Sequence, residues 1–350
     1  MNTDYSLQLI PQRVRSNPAL LEFDAPVVGQ ATAGLVSVAE EQEEIPAFIE
    51  ANTSAVTWKD ITEDSILPSY ADGEIVVPHS HFIQAVVMAA HDALPNDTFG
   101  PLEMRASHLT QGRIPSAIYK KTSELLESDK TKYWERICFC VQVKSRQTNI
   151  LGEPATLTFG GCRSLQECNF HSRKTSELFQ CYISYRARIC SNLMISLQDG
   201  LKDRIEASGP AEIYAAAYQL FSQFNAEENL RSLDGLGRTS ITVEQFSHLI
   251  GKLRYYNCLS TAAKKELPFQ IELGDSQVYA ATRNFVNSHF GINGRDSLDL
   301  FNILNCFNQS VKTNSYLHNF LSKNANCTTL IQGIQRSIEG INHDYDWLLS

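Results

Sequence analysis

Between Arg136 and Lys144 the chain alternates without a break. Ile137, Phe139, Val141 and Val143 are apolar, and Arg136, Cys138, Cys140, Gln142 and Lys144 stand between them. Side chains on a strand point to opposite faces with period two, so this run commits the segment to a strand with one apolar and one polar face. A second run sets Ala155, Leu157 and Phe159 against Thr156 and Thr158. It follows Asn149, Gly152 and Pro154, residue types suited to a hairpin loop. A third opposes Phe179, Cys181, Ile183 and Tyr185 to Gln180, Tyr182, Ser184 and Arg186, and Leu193 to Leu197 can add a fourth strand. Short connections make such strands antiparallel, with the polar face expected to meet solvent.

After residue 205 the period becomes helical. Ile213, Ala216, Ala217, Leu220, Phe221 and Phe224 form one stripe behind Pro210. Thr242-Val243-Glu244-Gln245 is a capping box opening a helix through Phe246, Leu249, Ile250 and Leu253. Asp296 is placed to cap the helix of Leu300, Ile303, Leu304, Phe307 and Val311, and a last pair is expected over 315–321 and 328–339. Upstream, Ile75-Val76-Val77 reads as a short strand, followed after Pro78 by an apolar helix. The expected fold is therefore α+β, a central antiparallel sheet followed by a helical C-terminal half. The expected organisation is an acidic, flexible arm over 1–55, an α+β domain over 56–204, and a helical region over 205–350 packed on it.

The N-terminus lacks a basic stretch followed by an apolar run, and Ala85 to Leu94, the most apolar segment, is broken by His91 and Asp92. The expectation is a cytoplasmic chain without membrane span. Nine cysteines at irregular spacing are expected to be reduced. There is no Walker loop, Gly-x-Ser-x-Gly elbow, zinc-protease helix or Cys-x-x-Cys pair. No cofactor is expected. His79-Ser80-His81 would share a face on a strand and could chelate an ion with His91 or Asp92; the same pattern also suits polar or helix-capping histidines.

Charge is uneven. Residues 1–100 sum to −12, 101–204 to +6 and 205–350 to −3. The acidic run Glu40-Glu41-Gln42-Glu43-Glu44 could shield the basic middle when no partner is bound. Candidate nucleic-acid-binding residues in that middle are Arg113, Lys120, Lys121, Arg136, Lys144, Arg146, Arg163, Tyr182, Arg186 and Arg188, interleaved with Tyr119, Tyr133, Trp134 and Tyr185. Guanidinium and ammonium groups suit phosphates, and flat rings suit unpaired bases. Arg136 and Lys144 fall on the polar face of one strand, Tyr182 and Arg186 on that of another. An ordinary sheet with a polar outer face would carry the same residues.

Several segments resemble one family, domain-of-unknown-function 3871. They are Ser107-His108 through Gly112-Arg113-Ile114-Pro115, Tyr133-Trp134-Glu135-Arg136, Gly160-Gly161, Arg188-Ile189-Cys190-Ser191-Asn192-Leu193, Phe224-Asn225-Ala226-Glu227, Leu249 through Tyr255, Leu273 through Gln277, and Tyr316 through Leu321. The Arg-x-Cys-Ser-Asn-Leu element is also similar to phage/plasmid-like family 932. Phe307-Asn308-Gln309-Ser310 departs from the Phe-Thr more usual in the family. The resemblance implies a mobile genetic element in a bacterial cytoplasm, and no particular chemistry.

Three functions stay open. The first is an accessory protein binding single-stranded DNA or RNA in recombination or replication. The second is a module engaging a host protein, and the third an enzyme with dispersed residues, such as His79, His81, His108, Asp275 and Cys190-Ser191-Asn192. Oligomeric state is left open.

Overall fold

The computed structural model describes residues 46–63, 65, 76–117, 119–165 and 177–350. In chain order the elements are β1 (Ser54–Ala55), α1 (Trp58–Thr62), α2 (His79–Ala93), β2 (Phe99–Arg113), β3 (Lys130–Ile150), β4 (Glu153–Ser164), β5 (Glu177–Ala187), β6 (Leu193–Met194) and β7 (Leu201–Ala207). There follow α3 (Pro210–Gln223), α4 (Ala226–Leu236), β8 (Ser240–Thr242), α5 (Val243–Cys258), α6 (Thr261–Lys265), α7 (Asp275–Asn287), β9 (Ser297–Asp299), α8 (Leu300–Asn314) and α9 (Phe320–Ile338). The fold is α+β, as expected from the sequence.

Strands β1 to β6 pair in sequence order, and β7 pairs with β5; every pairing is antiparallel. The β3–β4 hairpin turns at Leu151 and Gly152, both with positive φ (51° and 92°), as a tight hairpin requires. Helices α2 and α3 cover the apolar face. Phe82 of α2 lies 5.4 Å from Phe139 and 5.0 Å from Phe179, and Phe221 of α3 lies 5.4 Å from Phe159.

The opposite face is polar, as its sequence says, but it does not meet solvent. Arg136, Tyr182, Ser184 and Arg186 are all buried. Alternation reveals which residues share a face, not what packs on it; here helices α8 and α9, the turn Leu317–Asn319 and residues 46–53 cover it. Asparagines line the junction. Asn308 and Asn324 each donate to the Leu193 carbonyl (2.9 and 2.8 Å), and Asn324 also accepts from the Ile195 amide (3.1 Å). Asn192 donates to the Asn305 carbonyl at 3.2 Å, and Lys312 to the Cys190 carbonyl at 2.7 Å. These side chains take the place of ladder bonds, so the fourth strand expected over 193–197 closes after two residues. The departure at Asn308 is thus a structural bond, and the Cys190-Ser191-Asn192 segment is held by α8.

Several expectations change. Phe48 and Ile49, expected in the arm, are fully buried, and the Glu50 and Ala51 amides donate to the Lys312 carbonyl. Residues 1–45 lie outside the described residues. His79 opens α2, where i and i+2 side chains diverge by about 200° rather than sharing a face. Residues 76–77 belong to no strand, and Ile75 is outside the described residues. Cys138 and Cys162 form a disulfide, because the β3–β4 register stands them opposite each other with Cα atoms 4.2 Å apart. The α8 cap is Asp299, not Asp296, and the final helix runs unbroken through 328.

Candidate functional site

The ten sequence-predicted residues do not form one surface but separate across the fold. Arg113 donates to the Lys120 carbonyl (2.7 Å), and Lys120 pairs with Asp129 (2.8 Å), so these two organise the 114–129 connection; Lys121 is exposed beside them. Arg163 sits beneath α2, its guanidinium 2.6 Å from Glu177, bonded to the Val77 carbonyl and 4.8 Å from the Phe179 ring centroid. That position is structural. A charge this deep needs a carboxylate, and Glu177 also accepts from the Val77 amide at 2.9 Å.

Arg136 is buried with its guanidinium 5.8 Å from the Tyr316 ring centroid. Tyr316 is exposed and stacks on His318 at 5.8 Å and 14°. The sequence had marked this segment by its family resemblance but had not assigned the ring a role. Tyr182 is buried beside Cys140, and burial pushes its hydroxyl well above the usual range. It is not a stacking platform. Tyr133 and Tyr185 are buried too, whereas Tyr119 is fully exposed.

Lys144, Arg186 and Arg188 come together. They line a cleft of about 230 Å³ at the end of β3, β4 and β5, with Gln142, Gln147, Thr148, Thr156 and Ser191 supplying amides and hydroxyls. Arg186 forms the floor. Its Nη1 lies 2.6 Å from Glu103, and its Nη2 donates at 3.0 Å to both Ser191 and the Pro46 carbonyl. Lys144 and Arg188 are exposed and form no ion pair among the described residues. Arg146, just along β3, is neutralised by Asp97 at 2.8 Å. The cleft thus presents two unneutralised cations over a floor whose own charge is satisfied, an arrangement that attracts an anion.

The dispersed histidines do not assemble. His79 is buried, its Nε2–H donating to the Trp134 carbonyl at 2.7 Å, and burial together with the Arg163 charge holds its pKa down to about 3. His81 and His108 are exposed, and Asp275 opens α7. His171 lies outside the described residues. Among the described residues no three His, Cys, Asp or Glu side chains are grouped to hold a metal, and no helix is long and apolar enough to cross a membrane. A second, more open groove of about 520 Å³ runs along α7, lined by Tyr279, Arg283, Asn284 and Asn287 with Asn314 of α8. It holds none of the sequence-predicted residues.

Fold and cleft together define an α+β protein with a small cationic site at one end of its sheet. The chain belongs to the family described as "Domain of unknown function, B. Theta Gene description (DUF3871)", which it matches over residues 30–349. No curated protein and no solved structure matches it.

Proposed function

We propose that this protein is a nucleic-acid-binding accessory factor of a phage- or plasmid-like element, working on single-stranded DNA or RNA. The observation that carries this reading is the pair Lys144 and Arg188, exposed and unneutralised at the mouth of one cleft. Phosphates take charge-assisted hydrogen bonds from such donors, and the amides and hydroxyls beside them can complete the contact. The exposed Tyr316 ring at the other end of β3 offers a flat surface for a base. The mobile-element context comes from the likeness of the Arg188–Leu193 element to family 932.

The test is fluorescence anisotropy with labelled single-stranded DNA, duplex DNA and RNA over a salt series. Tight binding to one of them should weaken with salt, because phosphate contacts release counterions. Replacing Lys144 and Arg188 by Glu should lower affinity at least tenfold with the circular dichroism spectrum unchanged. Equal affinity in the double variant would remove the cleft from the reading.

A second reading, a module that engages a host protein, is favoured by α7. Tyr279 and Val286 stand exposed on that helix seven residues apart, beside the larger groove. Tyr279→Ala with Val286→Ser would then abolish partner capture and leave nucleic-acid binding intact.

A further inference from the structure

We infer that the groove along α7 binds one free nucleoside monophosphate, with its base on the Tyr279 ring and its phosphate on the Arg283 guanidinium. The site shares no residue with the cleft at Lys144 and Arg188, and it does not rest on the reading of that cleft.

Helical spacing makes the groove. Ser276, Ala280 and Ser288 lie on one four-residue row of α7 and are small. Asn284, on the same row, turns into α8 and donates to the Cys306 carbonyl at 2.9 Å. The neighbouring row carries Tyr279, Arg283 and Asn287, and Thr313 and Asn314 of α8 complete the lining. The two helices are locked together. Gln277 donates to the Asn314 carbonyl at 2.5 Å, and on the buried side of α7 Phe285 stacks on Phe246 at 3.7 Å. The result is a preformed trough of about 520 Å³, within the range of roughly 300–1,000 Å³ usual for small-molecule sites.

The groups left over choose the ligand. Among the described residues Arg283 is the one charged side chain lining the groove, and it is exposed with no ion pair or hydrogen bond. Its neighbours three and four residues away on the helix, Tyr279, Ala280, Val286 and Asn287, include no carboxylate. An uncompensated guanidinium calls for an anion, and its fork of donors matches phosphate. Tyr279 is exposed and has no aromatic partner among the described residues. It stands one turn from Arg283, with Cβ atoms about 5–6 Å apart, so a base can lie on the ring while its phosphate reaches the guanidinium. Asn287 is exposed with no hydrogen bond from its amide among the described residues, and an amide meets a base edge with a donor and an acceptor at once. The single cation sets the number of phosphates. A strand needs a series of cations along its backbone, whereas one guanidinium suits one phosphate group.

Isothermal titration calorimetry on the full-length protein tests this. The titrants are adenosine, guanosine, cytidine and uridine monophosphates, with inorganic phosphate and glucuronate as controls. At least one monophosphate should bind with Kd on the order of 0.1 mM, and both controls about tenfold or more weakly. Tyr279→Ala and Arg283→Ala, both at exposed positions, should each lower that affinity about tenfold with the circular dichroism spectrum unchanged. Changing Lys144 and Arg188 to Glu should leave it equal to the parent's. Absence of binding by all four monophosphates, equal binding of either control, or full affinity in both groove variants overturns the site. Loss confined to the Lys144 and Arg188 variant moves the ligand to the cleft and overturns it as well. A single-stranded oligonucleotide without terminal phosphates should fail to displace the monophosphate. Displacement overturns the assignment to a free nucleotide.

Discussion

Arg186 and Glu103 form a 2.6 Å ion pair across the polar face, although their strands are not neighbours: β3 and β4 lie between β5 and β2. The pair ties β2 to β5 across the two strands between them, and Arg186 Nη1 passes 3.6 Å from Cys140 Sγ on the way. The residue that sequence reasoning placed on a solvated nucleic-acid surface is thus a cross-sheet tie.

Arg186→Met should consequently reduce stability rather than act only on binding. It strands Glu103, which is partly solvated, and releases Pro46 and Ser191. The expected cost is about 2–4 kcal/mol in urea denaturation, less than for a fully buried pair. With Glu103→Gln it should show coupling of about 1–3 kcal/mol in a double-mutant cycle. A loss below 0.5 kcal/mol would contradict the tie.

Gly160 is required by close approach. A Cβ there would collide with the Phe139 carbonyl and come 2.9 Å from the Tyr182 ring. Both are fully buried and have no room to retreat. Gly160→Ala should cost about 3 kcal/mol or more, read as a lowered denaturation midpoint. Gly152→Ala meets no atom within 4 Å and is disfavoured only by its positive φ, so about 1 kcal/mol is expected there.

His79 should make the protein acid-sensitive. Its folded pKa, held down to about 3, lies below the unfolded value of about 6.5. The unfolded chain therefore binds the extra proton first. Stability from the neutral ring is present above pH 6.5 and is lost as pH falls toward 3, by up to about 1.4 kcal/mol per unit. The second proton would go to Nδ1, which has no acceptor among the described residues. His79→Gln should flatten the stability profile between pH 6 and 4 relative to the parent; parallel profiles would exclude His79 as the cause.

Asn324 bonds two backbone groups of the Leu193–Ile195 segment at once. Asn324→Leu should leave both the Leu193 carbonyl with one partner fewer and the Ile195 amide without its acceptor. About 2–4 kcal/mol is expected, with faster amide exchange at Ile195 as the specific signature.

Local rules carried well wherever one segment determines its own conformation. The Thr242–Gln245 capping box forms as its spacing implies, with Gln245 N–H on the Thr242 hydroxyl and Thr242 N–H on the Gln245 side chain. The β3–β4 hairpin and its alternation are likewise as expected. Strand β2 was not legible, because Gly100, Pro101 and Gly112 interrupt it and its burial does not alternate cleanly. Strand β7 was missed where the period was taken to change, since Lys202, Asp203 and Arg204 are exposed in succession. Helix α7 was hidden by its polar surface: Gly274-Asp275 reads as a loop, yet Val278, Ala281 and Phe285 form the buried stripe. The cleft was half legible. Lys144 and Arg188 were named, but their meeting depends on hairpin register, and the burial of Arg136, Arg163 and Arg186 depends on partners far away in sequence.

Those distant partners impose an order of assembly during synthesis. Ile195 waits for Asn324, which is 129 residues further along the chain. At roughly 5–20 residues per second, the ribosome delivers that acceptor about 6–25 s after the strand has emerged. Through that interval the sheet's polar side, with its arginines and open β6 edge, stays hydrated and accessible to any chaperone or nascent neighbour. A chain ending before α9 would leave the Ile195 amide without its Asn324 acceptor and part of that side uncovered, a species open to proteolysis rather than a smaller working protein.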